Sequence, residues 1–191
     1  MDYNIVESEI LATAAMCVND FNYDKKDILL VGVNNATLIH LLSSFDVNIY
    51  VLNASVRDED FAENVAFYDL AINLKINQFD VIIDLQNNNV ENYKKLLKNS
   101  GILIVDLISL DKSEILTKRA EFNVVMPFKI CEEAVQKYYL FISNKFHPIA
   151  DLSLQKLDLI ENLQYCNERI YNAVYAMPNY IKKSLQGIIK S

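Results

Sequence analysis

The 191-residue chain, 52% hydrophobic, can bury one sizeable core; this argues against a disordered chain and leaves room only for a small second domain. Eighteen basic residues against 25 acidic ones give a net charge of -7. Without a dense basic block, nonspecific nucleic-acid binding has little electrostatic support, whereas carboxylates converging in a cleft would favour a cationic small molecule. Cys17, Cys131 and Cys166 are too widely spaced for a disulfide scaffold or a thiolate metal site. No apolar run approaches the roughly 20 residues of a membrane span, and the start shows no leader pattern, so a cytoplasmic protein away from membranes is expected.

The spacing predicts a leading helix within residues 1–20, with Glu7 to Met16 as its clearest part and an end near Asn19-Asp20. Glu7 and Glu9 stand two residues apart, so a regular helix turns them to different faces. Asp27 to Val33 reads as a doubly buried strand, and Gly32 opens a polar turn through Asn34 and Asn35 into a helix over Thr37 to Ser44. In an open parallel sheet, the mouth of such a turn is where a nucleotide-like ligand sits. Strands follow at Val47–Leu52 and Val65–Tyr68, the latter leaving through Asp69 into a helical stretch to about Ile76.

Phe79 to Asp84 is another buried strand, and Gln86-Asn87-Asn88-Asn89 forms a turn-prone exit. A helix from Val90 to Lys98 is expected to stop at Asn99-Ser100-Gly101, before the strand Ile102–Val105 with Asp106 at its end. Asp111 and Glu114 have the spacing of a reciprocal helix cap. Phe122–Phe128 and Tyr138–Ser143 read as a late antiparallel pair joined by residues 129–135. Apolar residues then recur at helical spacing from Leu152 to Ala176, and Pro178 starts a last helix towards Ile189. This order makes residues 1–191 a single α/β unit closed by C-terminal helices over 152–191.

Asp69, Asp84 and Asp106 each end or follow a strand, so a parallel sheet brings them to its carboxyl edge. There a carboxylate hydrogen-bonds an adenine amine, holds an ammonium, or takes a proton from an amine nucleophile; the alternative is a plain strand exit or helix cap. Gly32 lacks the rest of a G-x-G-x-x-G signature and is weak evidence for a nucleotide by itself. His40 and His147 stand in no ligand cluster, so no metal site is expected.

The segment Tyr165-Cys166-Asn167-Glu168-Arg169-Ile170-Tyr171-Asn172-Ala173-Val174-Tyr175-Ala176-Met177-Pro178 resembles the terminal Tyr-Tyr-Asn…His…Ala-Ala-Phe-Ala-Leu-Pro pattern of the spermidine synthases, the polyamine aminopropyltransferase family. Glu7-Ser8-Glu9-Ile10-Leu11-Ala12 ahead of Ile28-Leu29-Leu30-Val31-Gly32 resembles the family's first helix and strand, and the whole chain looks like its divergent epsilonproteobacterial form. The resemblance begins at the family's first core helix, so its small N-terminal β domain is expected to have no counterpart in this sequence. The resemblance implies a Rossmann-like class I methyltransferase fold, with a seven-stranded mixed sheet ending in an antiparallel hairpin, and a homodimer or higher oligomer. It also implies aminopropyl transfer from decarboxylated S-adenosylmethionine, a co-substrate rather than a permanently bound cofactor, to putrescine.

Residue by residue, the resemblance assigns Gly32, Asn35 and Asp69 to the nucleoside, Asp69 facing adenine. From their strand-end and helix positions we expect Asp84 to activate the amine, and Glu7 or Asp106 to attract the cationic acceptor. Asn35 stands where the family has aspartate, Leu52 where a carboxylate holds the ribose, and Tyr171 where the terminal pattern has histidine. The family's catalytic acid falls at Leu85, one place after Asp84. These departures motivate an alternative, a non-catalytic homologue or partner subunit that retains nucleoside binding; a third reading is a methyltransferase with another acceptor.

Overall fold

The computed structural model describes residues 1–18, 25–56, 60–68, 74–86, 90–118 and 121–189. Its centre is a seven-stranded sheet in the order β3-β2-β1-β4-β5-β7-β6. The strands are β1 (Lys26–Val31), β2 (Val47–Leu52), β3 (Val65–Tyr68), β4 (Phe79–Asp84), β5 (Leu97–Leu107), β6 (Val124–Glu132) and β7 (Val135–Ser143). The first five run parallel, and β7 and β6 complete the sheet antiparallel. This is the expected Rossmann-like class I methyltransferase fold with its late hairpin.

Register aligns the carboxyl ends. Val31 stands beside Leu52 and Asp84, Leu52 beside Tyr68, and Asp84 beside Val105, so one row crosses five strands. The chain moves outward from β1 in one direction through β2 and in the other through β4, which makes the β1/β4 gap the switch point where such sheets bind ligands.

Alternation along the strands divides the core in two. Ile28, Leu30, Ile83 and Ile104 face helices α1 (Tyr3–Met16) and α2 (Thr37–Ser43), together with Leu157 and Tyr171 from the C-terminal region. Leu29, Val31, Ile82 and Val105 face the other layer, with Tyr93 of α3 (Glu91–Lys94), Ile115 of α4 (Lys112–Lys118) and Leu185. Helix α1 is buried from Val6 to Met16, which is why its apolar residues run around the whole cylinder rather than along one stripe. Asp2 accepts the Asn4 N–H at its start.

Several boundaries differ from the sequence reading, each for a local reason. The helix expected over 90–98 stops at Lys94, because the carbonyls of Lys95 and Leu96 accept N–H bonds from Asn77, Gln78 and Phe79. Leu97 thereby begins β5 beside Phe79, and Gly101 lies inside a strand, packed on the Leu97 side chain, rather than ending a helix. Asp111 bonds Ser113, while Glu114 receives the N–H groups of Ile108 and Ser109, so the reciprocal cap is replaced by a clasp on the preceding loop.

The late pair is longer than expected. Pairing continues from Val124 beside Ser143 to Glu132 beside Val135, leaving a two-residue turn in which Glu133 takes φ +50°. Polar residues in this arm face solvent from an edge hairpin instead of forming a loop. The apolar stretch 152–176 divides into α5 (Leu154–Asp158) and α6 (Glu168–Val174). Between them the N–H groups of Gln164, Tyr165 and Cys166 bond the Glu9 carboxylate and are lost to helical pairing. Pro178 stands at the N-cap of α7 (Asn179–Ser184). The expected helix after Asp69 falls mostly outside the described residues, and Ile76-Asn77 forms a turn. Helix α1 ends at Met16, short of the expected Asn19-Asp20, because Cys17 and Val18 turn to pair with Ser153 and Leu152, while the expected exit at Asn87–Asn89 lies outside the described residues.

Candidate active site

Beyond Val31 the chain turns through Gly32 at φ +71°, a backbone conformation that glycine adopts without strain. Its N–H bonds the Leu52 carbonyl at 2.9 Å, and Ser55 N–H reaches the Val33 carbonyl at 3.1 Å, tying the exits of β1 and β2 together. A Cβ on Gly32 would collide with Cγ and Cδ of Gln86, so the Gln86 side chain lies across the mouth of the first turn. Asn35 Oδ1 accepts the Thr37 N–H at 3.1 Å, helping to begin α2.

Asp84 is fully buried, and its Oδ1 accepts the Gln86 N–H at 2.9 Å, which shapes the exit of β4. It shares a row with Val105, so its side chain belongs to the α4 face of the sheet. Asp106, one residue further along β5, belongs to the α1 face and stands beside Tyr139. The two aspartates therefore meet at one edge but on opposite faces. Asp69 lies outside the described residues.

Lys118 occupies the α4 side of this edge, 7% exposed, and its Nζ donates to the Asp106 carbonyl at 2.9 Å. Burial lowers its pKa, while Asp106, Glu114 and Asp84 pull the other way. Nothing in the sequence marked this lysine, because it closes a helix and its partners come from β4 and β5.

Glu7 and Glu9, both buried on α1, have different tasks, as their spacing predicts. Glu7 Oε1 accepts Lys137 Nζ at 2.8 Å and the Tyr139 hydroxyl. Burial, followed by the Glu7 charge, holds the Tyr139 hydroxyl protonated far above its usual range. Glu9 clamps three successive N–H groups at 2.7, 2.8 and 2.7 Å, at the start of the segment that carries the terminal pattern. Tyr171 is fully buried, its hydroxyl 3.3 Å from that of Tyr175. A cavity of about 480 Å³ lies on the α1/α2 side, lined by Glu9, Thr37, His40 and Glu161 among others. Among the described residues no cluster of histidine, cysteine and carboxylates could hold a metal ion, and no helix is long and apolar enough to cross a membrane.

No protein-family model matches the chain. It is 27% identical over 215 residues to a polyamine aminopropyltransferase from Helicobacter acinonychis (strain Sheeba), an alignment covering 97% of this chain and 79% of that protein. The chain is similar to polyamine aminopropyltransferases. The fold agrees: a spermidine synthase from Thermotoga maritima superposes with a TM-score of 0.73 at 21% identity, over 95% of this chain and 74% of that one. Human methyltransferase-like protein 13 superposes with a TM-score of 0.54 at 13% identity, over 92% of each chain. Against that background the chain keeps the carboxyl-edge architecture, while Leu52 ends β2 without a carboxylate and Leu85 packs into the α1-side core.

Proposed function

We propose that this chain is an aminopropyltransferase of the spermidine-synthase kind, acting on decarboxylated S-adenosylmethionine and a small diamine such as putrescine. The observation that carries the reading is similarity to a polyamine aminopropyltransferase along 97% of the chain. In this reading Gly32, Asn35 and Asp69 border the nucleoside, Asp84 takes the proton, and Glu7 and Asp106 draw the cationic acceptor. The amine nitrogen attacks the carbon beside the sulfonium; the C–S bond breaks with its electron pair to sulfur, and the nitrogen gives up its extra proton. The products are methylthioadenosine and the aminopropylated amine. We also assign a cytoplasmic homodimer, which size-exclusion chromatography with light scattering tests directly.

The decisive assay incubates purified protein with decarboxylated S-adenosylmethionine and putrescine and follows both products. Coupled formation of methylthioadenosine and spermidine is expected, with Asp84→Asn at least 100-fold slower while its circular dichroism is unchanged. Absence of both products from folded protein discards the enzymatic reading, and full activity in Asp84→Asn removes Asp84 from its role. A second reading is favoured by two observations, Leu52 at the end of β2 and Gln86 lying across Gly32. There the chain is a non-catalytic homologue or partner subunit, identified by nucleoside binding without turnover.

A further inference from the structure

Glu7 is 2% exposed, whereas the Lys137 side chain bonded to it is 45% exposed. The two ends of this ion pair are therefore unequal. The carboxylate is almost wholly withdrawn from water beneath the lysine and needs donors where it stands, but the lysine stem lies at the surface and its ammonium rehydrates by a change of rotamer. Around the bonded ammonium stand three groups from two elements: from α1 the Glu7 carboxylate at 2.8 Å and the Tyr3 ring, its centroid 5.2 Å from Nζ, and from β7 the Tyr139 hydroxyl on the same carboxylate oxygen. A carboxylate with an aromatic face is the chemistry that recognises a primary ammonium.

The place matters as much as the chemistry. Tyr138 stands beside Leu107, the last residue of β5, so Lys137 lies just beyond the carboxyl end of the parallel strands. Asp106 belongs to the same face of the sheet, which puts a second carboxylate near this end of the site.

We propose that Lys137 is a tethered competitor for an external amine. Its ammonium fills a cradle of Glu7, Tyr139 and Tyr3, which an alkylammonium or diamine enters by displacing it. This deepens the transfer reading, on which the identity of the amine as acceptor rests, by naming what sets amine affinity: release of Lys137 from Glu7. An ammonium already bonded in the cradle weakens binding of a free one, and a neutral side chain of similar length at position 137 removes that competition.

The test titrates putrescine, and n-propylammonium as a monovalent probe, into the full chain by calorimetry. Lys137→Met is expected to bind putrescine at least tenfold more tightly than the unaltered protein, and the double variant Lys137→Met/Glu7→Gln to lose that gain. Equal affinity in Lys137→Met, no binding by any folded form, or a gain that survives Glu7→Gln overturns the proposal. Thermal unfolding supplies a second measurement: Lys137→Met melts lower, and n-propylammonium restores it saturably where potassium chloride of equal ionic strength does not. Equal recovery with both salts also overturns it. Amine binding through the cradle without product in the transfer assay rejects the transfer reading and leaves the cradle intact.

Discussion

Gly32 meets two demands at once, and neither is visible in an isolated glycine. Its φ of +71° penalises any side chain, and Gln86 occupies the volume a Cβ would take. Gly32→Ala is expected to lower stability by about 1–3 kcal/mol, read as a shift in the urea midpoint. Adding Gln86→Ala relieves the collision and leaves the backbone strain, about 1–2 kcal/mol for a left-handed residue. Identical midpoints for Gly32→Ala and the unaltered protein would show that neither demand operates. The sequence pointed to Gly32 through the four apolar residues before it, but Gln86, 54 positions away, becomes its neighbour only when β4 pairs with β1.

Among the elements, α1 and the segment from Gln164 to α6 depend on each other through Glu9. The helix cannot bury that carboxylate without donors, and the segment cannot leave helical pairing without an acceptor for three N–H groups. Glu9→Ala is expected to cost on the order of 2 kcal/mol, since the buried Cys166 donor left without an acceptor costs about 1–3 kcal/mol while the more exposed Gln164 and Tyr165 donors turn to water. Hydrogen exchange of the amides of residues 164–166 should quicken well before that of β4. Unchanged protection there would mean that the segment is held by its apolar contacts alone. Sequence spacing correctly sent Glu7 and Glu9 to different faces, yet the helical spacing over 152–176 gave no sign of the break at 164–166, because a carboxylate some 155 residues away leaves no mark on local periodicity.

At the scale of the whole molecule, burying so many thiols and phenols ties stability to alkaline pH. Burial is the largest cause in each case: it pushes Cys17 from 9.0 up to about 12 and Cys166 from 9.0 up to about 11, and also raises Tyr3, Tyr171 and Tyr175. Below pH 9 both thiols are protonated in the folded and unfolded states, and their contribution is complete. Above pH 9 the unfolded thiols ionise first, so the unfolded chain binds fewer protons and stability falls as pH rises through the folded values. The urea midpoint should be flat from pH 7 to 8.5 and decline steadily by pH 10.5, approaching a loss of about 1.4 kcal/mol per pH unit for each displaced group. A midpoint that holds to pH 10.5 would contradict the buried assignment. In native protein at pH 8, a thiol reagent should find Cys131, which is exposed, and reach Cys17 and Cys166 only after denaturation.

Part of this architecture was legible in the linear chain. Runs such as Ile28–Val31 and Val81–Ile83 determined by themselves that a parallel sheet lies at the centre, because a strand buried on both faces must be apolar without alternation. The strand-end position of Asp84 was determined in the same way, since an exit is local to its strand, whereas β5 runs one residue past Asp106, where Leu107 still pairs with Tyr138. Which face each aspartate belongs to, Gln86 over Gly32, Lys118 against the Asp106 carbonyl, and Lys137 with Tyr139 on Glu7 were decided only by the tertiary structure. The reason is physical: periodicity records which side of an element is buried, whereas pairs of polar groups from distant elements are chosen by sheet register and helix docking.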